Sequence, residues 1–273
     1  MKVRMYNVGF GDCFCLRDRK KSLLVDFGTN NSRIEGRSRR EIFDVIISDL
    51  STIKSKNLLL THFHMDHLSG LLYMMKKKDI SVDFGKIYLP DVFSKKEMSR
   101  TLVLLLLADL LKESGLPSRQ VSLFALVDAL LENKQNVELL SRGKLFENKY
   151  QALWPDTDVI RKETDEVYNR ICEDGKFKEV MDVLLEFAEK LRLIVWSMTA
   201  EGNKPAETVE KETDSTASEL TEQPEVRQKI IRAYVYEREF RRIKALPDFK
   251  KLLAWLNENQ INLRQFKHKI SIV

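Results

Sequence analysis

Three of the four histidines in this chain fall within the stretch "LLLTHFHMDHLSG", together with an aspartate. If this stretch is extended where a strand ends, His62 and His64 project to the same side and can share one ion, while Asp66 and His67 face a second ion. Imidazole and carboxylate donors suit zinc, and also manganese or iron. Water at an open metal position has a pKa near ~7, so the chemistry indicated is hydrolysis. We assign Asp66 to catalysis as well as to the metal site, and a packed histidine cluster is the weaker alternative.

The motif lies between a predicted buried strand and a predicted helix. "KNLLLT" is a short continuous apolar run of the kind found in strands buried on both faces. "LSGLLYMMKKK" continues as a helix, and "FGKIYLP" returns as a strand. Upstream, residues 2–9 and 12–17 read as strands, and the second of these forms a hairpin with the apolar run at 22–28. The expected fold class is therefore α/β.

The segment "THFHMDHLSG" resembles the His-x-His-x-Asp-His signature of the metallo-β-lactamase superfamily. "VGFGDCFCL" followed by "LLVDFGT" resembles the first hairpin of the same superfamily, so the resemblance covers residues 1–92. Within it, the likeness is closest to the branch that includes hydrolase domains of bacterial DNA-uptake channel proteins. The resemblance implies an αββα sandwich, a mononuclear or dinuclear metal centre, and hydroxide attack on an ester, amide or phosphodiester.

By motif position, the resemblance assigns the first ion to the first two histidines of the motif and the second ion to Asp66 and His67. It also matches Asp12 and Asp26 to acidic positions near the site. Asp12 would help to shape its loop, and Asp26 would hold a ligand imidazole in place. Ordinary turn and strand-end roles account for both aspartates equally well.

The chain departs from the superfamily pattern after the motif. The family completes its site with a further histidine, an aspartate after a glycine, and a last histidine, but no Gly-Asp pair follows the motif here. We therefore expect a domain truncated in its second half. His268 is a weak candidate for an extra ligand, because its place between lysines favours a solvated residue. Asp91 and Asp156 follow prolines, and turn roles are preferred for both.

Missing strands would leave a sheet edge open, so a protein partner or a second protomer is expected to complete the fold. The predicted units are residues 1–93, the N-terminal half of the domain, and 94–258, a mainly helical insertion. The insertion includes a strand-like return near 150–155 and a flexible acidic segment at 200–225, which is rich in Glu, Thr and Ser. Residues 259–273 return to a core strand.

The composition is that of a globular protein, with 43% hydrophobic residues. The N-terminus alternates like a strand and lacks the features of a secretion signal. The longest apolar run, Thr101–Leu111, falls short of the ~20 residues that span a bilayer and reads as a buried helix. Three cysteines cannot all pair, and reduced thiols are expected. We expect a cytoplasmic protein that does not contact membranes.

A net charge of +5 does not by itself identify a nucleic-acid binder. Val226–Leu246 is basic and amphipathic, and a solvated helix face is the preferred interpretation. The loop "NNSRIEGRSRR", Asn30–Arg40, is the better candidate to contact substrate phosphates.

These features favour a metal-dependent hydrolase that acts on a phosphodiester or nucleotide, with a helical insertion that controls access or binds a partner. The alternative is a catalytically incomplete interaction module that keeps the fold and needs a partner or a missing C-terminal segment. An antibiotic-degrading lactamase is disfavoured because the sequence has no export signal.

Overall fold

The computed structural model is built around one mixed six-stranded sheet. It describes residues 1–18, 21–77, 83–112, 122–133, 135–173, 175–200, 202, 241–261 and 263. The strands are β1 (Lys2–Met5), β2 (Phe14–Asp18), β3 (Lys21–Val25), β4 (Arg33–Ile34), β5 (Arg37–Ser38), β6 (Ser55–Leu59), β7 (Ile87–Pro90), β8 (Val137–Leu140), β9 (Leu145–Phe146) and β10 (Tyr150–Gln151). The α-helices are α1 (Arg39–Ser51), α2 (Met65–Lys76), α3 (Ser99–Lys112), α4 (Ser122–Glu132), α5 (Thr157–Cys172), α6 (Lys178–Ser197) and α7 (Pro247–Glu258), with a 3₁₀ turn at Lys96–Met98.

The strand order in the main sheet is β1-β2-β3-β6-β7-β8. The first three strands pair antiparallel, and β3, β6, β7 and β8 pair parallel. The predicted hairpin and the predicted strand, helix, strand unit are both confirmed, with α1 and α2 as the crossovers between parallel strands. The α/β fold class with a large helical insertion is confirmed.

The helices cover one face of the sheet and form the main hydrophobic core with it. This core takes alternate residues of the strands, such as Leu24, Leu58 and Ile87, and apolar residues from each of α1 to α7. Residues 102–107 of α3 are all buried, as the apolar run predicts. Burying a side chain of this size contributes about 1.5–3 kcal/mol relative to leaving it in water.

The opposite face of the sheet carries a much smaller apolar cluster. Its buried members are Leu23, Leu59, Tyr88, Leu140, Phe146 and Ala152. The β9–β10 hairpin covers this cluster, and the Tyr88 hydroxyl donates to Glu147 at 2.8 Å. Val3 and Met5 of the edge strand β1 remain exposed. The two faces are therefore covered to very different extents.

Helix α1 is fixed at both ends by polar contacts. Ser38 and Glu41 form a capping box at its start, which satisfies two amide N–H groups of the first turn. Near its end, Asp49 accepts from Arg4 at 2.7 Å, from Arg17 at 2.9 Å and from the Tyr6 hydroxyl. These contacts hold the β1–β2 hairpin against the helix that connects β3 to β6.

Several expectations need correction or lie outside the described residues. The segment 94–258, predicted to be mainly helical, also contributes β8 to the main sheet. This strand was not predicted, because four residues are too few to give a clear alternation pattern. Of the strand-like stretch 150–155, only Tyr150–Gln151 is a strand, and it pairs with β9. The acidic segment at 200–225, apart from residues 200 and 202, and most of 259–273 lie outside the described residues.

The three cysteines are free, as expected. Among the helices that the structure describes, none combines the length and the apolar content needed to cross a membrane.

Candidate metal centre

The candidate site lies at one edge of the sheet, where two neighbouring parallel strands end. Val25 of β3 pairs with Leu59 of β6, so the residues that follow each strand emerge side by side. The Asp26 N–H donates to the Leu59 carbonyl at 2.8 Å. Asp26 has a φ of 54°, a left-handed conformation that aspartate adopts more readily than most residues. The turn aims its carboxylate at the histidine motif.

Asp26 is 2% exposed, and its carboxylate has three polar partners. Oδ1 accepts from the Thr61 N–H at 2.8 Å, and Oδ2 accepts from the Thr61 hydroxyl at 2.7 Å. Oδ2 also lies 2.9 Å from Nδ1 of His67. When Nδ1 donates to Asp26, Nε2 of His67 keeps its lone pair and can bind an ion.

Two further carboxylates face Nε2 of His67. Oδ2 of Asp12 lies 3.6 Å from this nitrogen, and Oδ2 of Asp66 lies 3.8 Å from it. One potential ligand atom from each of Asp12, Asp26 and His67 can be chosen so that all three lie within 4.8 Å of one another. These spacings are short enough for several of the groups to reach one ion.

The charge around His67 has a clear electrostatic effect. Burial lowers the pKa of His67, but the hydrogen bond to Asp26 and the charges of Asp26, Asp66 and Asp12 together raise it above its ordinary value. The same negative field that holds a proton on the imidazole would attract a cation in its place.

Of the other two histidines of the motif, His62 lies beside His67, and His64 lies beside His62. The ring centroids of His62 and His67 are 3.7 Å apart, and those of His62 and His64 are 4.7 Å apart. Nδ1 of His62 lies 3.1 Å from the Thr61 hydroxyl. His64 precedes the first residue of α2 and makes no side-chain capping bond. The three imidazoles thus form one contiguous group.

Close backbone approach holds the loop that carries Asp12 against the motif. The Asp12 N–H donates to the Asp66 carbonyl at 3.3 Å. A Cβ on Gly11 would lie 2.3 Å from the Gly28 carbonyl oxygen, and a Cβ on Gly28 would lie 2.6 Å from the Asp66 carbonyl oxygen. These two positions accept only glycine without a shift of the backbone. The loop is therefore built to bring Asp12 to His67.

The remaining sequence candidates have other roles or lie elsewhere. Asp91 accepts from the Ser94 N–H at 3.1 Å and from its hydroxyl at 2.8 Å. Asp156 caps α5 by accepting from the N–H groups of Asp158 and Val159. The Asp91 contacts are the turn role preferred from the sequence, and those of Asp156 are a helix cap that the sequence analysis did not specify. His268 lies outside the described residues, so its candidacy as an extra ligand stays a prediction.

Thr61 and Ser69 are site residues that the sequence reasoning missed. Thr61 connects Asp26 with His62, as its contacts above show. The Ser69 hydroxyl donates to the Thr29 carbonyl at 3.1 Å and accepts from the Thr29 N–H at 3.0 Å, which ties α2 to the loop after β3. Their positions within "THFHMDHLSG" were the available signal, but hydroxyl residues are too common there to single out.

The donor set is consistent with a divalent ion. The group contains imidazole nitrogens and carboxylate oxygens, partly buried and held by hydrogen bonds to neighbouring groups. Such mixed nitrogen and oxygen sites suit zinc, manganese and iron. Its residues fall between positions 12 and 67, so both loops and the motif come from the N-terminal part of the chain.

Comparisons with known proteins agree with this placement. Residues 6–92 match the family model of the Metallo-beta-lactamase superfamily. The chain is also 32% identical over 77 residues to the endoribonuclease YSH1 of Mycosarcoma maydis, an alignment that covers 28% of this chain and 8% of that protein. No solved structure matches the chain. Residues 6–92, which carry every described residue of the candidate site, are therefore similar to the metallo-beta-lactamase superfamily.

Proposed function

We propose that this protein is a metal-dependent hydrolase that cleaves a phosphodiester bond in a nucleic acid or nucleotide. The observation that supports this most strongly is the setting of His67. Its Nδ1 lies 2.9 Å from Asp26, while its Nε2 faces Asp12 and Asp66. Metal-ligating histidines have this arrangement, with one nitrogen held by a carboxylate and the other turned to the ion. A histidine cluster that served only for packing would not need three carboxylates around it.

We assign His62 and His64 to one ion, and Asp66 and His67 to a second. Asp12 is an additional oxygen donor for the second ion, because its Oδ2 lies 3.6 Å from Nε2 of His67. Zinc is the first choice, with manganese or iron as alternatives. A divalent ion bound there would supply Lewis acidity, which brings the pKa of water close to ~7.

The protein's own groups would order this centre and handle the proton. Asp26, which Thr61 holds in place, would fix the orientation of the His67 ring. The side chain of Asp66 is 30% exposed, so it can reach both His67 and solvent. Asp66 is therefore the carboxylate that we assign to catalysis, as a ligand that can also accept a proton from water.

A nucleic-acid substrate is supported by two independent observations. The relative that aligns with the motif region is an endoribonuclease by name. The arginine-rich loop Asn30–Arg40 follows directly on the Asp26 turn, and guanidinium groups bind phosphates well. The likeness to DNA-uptake hydrolase domains, the unit boundaries near residues 93 and 258, the truncation and the cytoplasmic location stay predictions.

One observation favours the second candidate, an interaction module that keeps the fold without catalysis. Val3 and Met5 leave apolar surface exposed on the edge strand β1, where a protein partner or a second protomer could pair. The two candidates differ in whether bound metal leads to hydrolysis.

Elemental mass spectrometry on the purified full chain tests the proposal. We expect one or two ions per chain, lost in His62→Ala/His64→Ala and reduced in Asp66→Ala. Asp158→Ala removes a carboxylate that is 67% exposed on α5 and should leave the ion content unchanged. Hydrolysis of bis(p-nitrophenyl) phosphate should follow the ion content.

Ion content that is unchanged in both motif variants would show that the site assignment is wrong. Bound ions without hydrolysis of this phosphodiester or of a labelled oligonucleotide would favour the interaction module.

A further inference from the structure

An exposed phenylalanine stands next to the candidate metal centre. Phe10 is 80% exposed, and it precedes Asp12 by two residues, which limits the backbone separation to about 7 Å. Single exposed apolar residues are common and need no explanation by themselves. The surroundings of Phe10 distinguish it from such residues.

The backbone of Phe10 is held by hydrogen bonds at both its N–H and its carbonyl group. Its N–H donates to the Asn31 side-chain oxygen at 2.6 Å, and its carbonyl accepts from the Asn30 N–H at 2.8 Å. The Thr29 hydroxyl lies 3.4 Å from the same carbonyl. A fixed backbone under an exposed ring reduces the entropy that the ring would lose on contacting a flat ligand.

The hairpin β4–β5 lies against the same loop. The Asn7 side chain donates to Glu35 at 3.0 Å, and a Cβ on Gly9 would lie 3.0 Å from the terminal carbon of Ile34. Glu35 and Gly36 both have positive φ, which is typical of a tight type I′ turn. The hairpin is therefore a short, defined element beside Phe10.

Four exposed arginines belong to this hairpin and to the start of α1: Arg33, Arg37, Arg39 and Arg40. Arg37 pairs with Ile34, so both side chains project from the hairpin face that meets the Phe10 loop. Arg33 pairs with Ser38 and therefore projects from the opposite face. Within the described part of the chain, none of the four arginines forms an ion pair. The two nearby glutamates are already hydrogen-bonded, Glu35 to Asn7 and Glu41 to the Ser38 N–H.

We propose that Phe10, Arg37 and the two arginines at the start of α1, Arg39 and Arg40, form a binding surface for single-stranded nucleic acid beside the candidate metal centre. The ring stacks on the face of an unpaired base, and the guanidinium groups contact the flanking phosphates. A duplex fits poorly, because its bases are already stacked on one another and their faces are not accessible. This inference rests on the proposed function for its substrate class and identifies the strand form that the site accepts.

Fluorescence anisotropy with a labelled 12-nucleotide single strand tests the surface directly. The full chain as purified is titrated, and the probe is checked on a gel afterwards for intactness. Phe10→Ala should weaken binding by about 5- to 100-fold, the range measured for loss of one stacked base, whereas Phe10→Trp should retain it. The matched control is Leu153→Ala, another exposed apolar residue on a different part of the surface, at 62% exposed against 80% for Phe10.

The arginines are tested through salt dependence. Each phosphate contact to a single strand contributes about −0.7 to the slope of log K against log salt. Arg37→Gln/Arg40→Gln should therefore make the slope shallower by roughly 1.4. The control Lys162→Gln/Arg170→Gln removes two exposed charges from α5 and should not change it.

Three outcomes would overturn the inference: unchanged binding in Phe10→Ala, equal affinity for the matching duplex, or binding to anionic phospholipid vesicles that equals binding to the strand. A circular-dichroism melt of each variant excludes unfolding as the cause of lost binding. Because anisotropy does not depend on cleavage, strand binding without bound metal would contradict only the proposed function. Bound metal and hydrolysis without strand binding would contradict only this inference.

Discussion

The N-terminal region and the helical region of this molecule are stabilised in different ways. In residues 6–92, short strands and loops are fixed by side-chain hydrogen bonds and by backbone approaches that only glycine permits, as at Gly11 and Gly28. In the described part of residues 94–258, long helices are held mainly by continuous apolar burial, as in α3 and α6. The three-residue group of potential metal ligands found among the described residues lies entirely in the first region.

The two regions therefore serve different purposes: the first orients the side chains of the site, and the second stabilises the fold. Hydrogen bonds and tight turns fix directions, which a site with several donors requires. Apolar contacts have little directionality but contribute most of the stability. Substitutions in the helical region should therefore change the free energy of unfolding, and substitutions around Asp26 should change ion affinity more than stability.

The largest expected effect on stability is in the helical core. Leu106 of α3 is fully buried, so Leu106→Ala should lower the free energy of unfolding by about 2–5 kcal/mol through lost burial and a residual cavity. Urea unfolding followed by circular dichroism measures this. Val45→Ala on the exposed side of α1 is the control and should cost little. A change in zinc affinity of more than about twofold in the folded Leu106→Ala protein would contradict the separation of the two regions.

At Asp26 we expect a moderate effect, on ion affinity rather than on the free energy of unfolding. Asp26→Asn keeps the volume of the side chain but replaces an acceptor oxygen with a donor next to Thr61 and His67. Ion affinity should fall by about 10–100-fold, as is typical when the partner of a ligand histidine is lost.

Isothermal titration with zinc measures the effect at Asp26, with Asp158→Asn as the control for loss of a carboxylate. Wild-type affinity in Asp26→Asn would show that this carboxylate does not orient a ligand.

The smallest effect, a pH-dependent change in the Tm, is expected at the start of α5. Hydrogen bonding from the Val159 N–H, followed by the bond to Arg142, lowers the pKa of Asp156 below its ordinary value. The ionised form therefore stabilises the folded state, fully above a pH of about 3.9, and this contribution is lost as the pH falls through the lowered pKa.

Asp156→Asn keeps a capping oxygen without the charge. The Tm of the wild type should exceed that of the variant by no more than about 4 °C at pH 7, and the difference should shrink towards pH 2.5. A difference that does not change with pH would contradict the role of the charge.

Much of the fold and of the site could be predicted because it depends on local patterns. The apolar run before the motif and the helix after it have clear periodicity, and both are found as predicted in β6 and α2. The grouping of His62, His64 and His67 follows from their spacing at a strand end. Asp26 was expected near the site only from the family resemblance, and the parallel pairing of β3 with β6 brings it to the same edge.

The rest depends on contacts between distant parts of the chain. β8 becomes a strand by pairing with β7, about 50 residues earlier, and its four residues do not show this by themselves. The 3.6 Å approach of Asp12 to His67 requires the packing of Gly11 against Gly28 and Asp66, which joins three separate segments. Neither contact leaves a signal in local residue spacing.

The parallel pairing of β3 with β6 also bears on how the protein folds. Asp26 and Thr61 are 35 residues apart in sequence, so the centre cannot assemble until this loop has closed. Closing a loop of this length costs entropy before any contact compensates for it, which slows parallel sheets relative to hairpins. The capping box at Ser38 and Glu41 favours α1 within this loop. A helix that forms early leaves fewer flexible residues in the loop, which lowers the entropy cost of closing it.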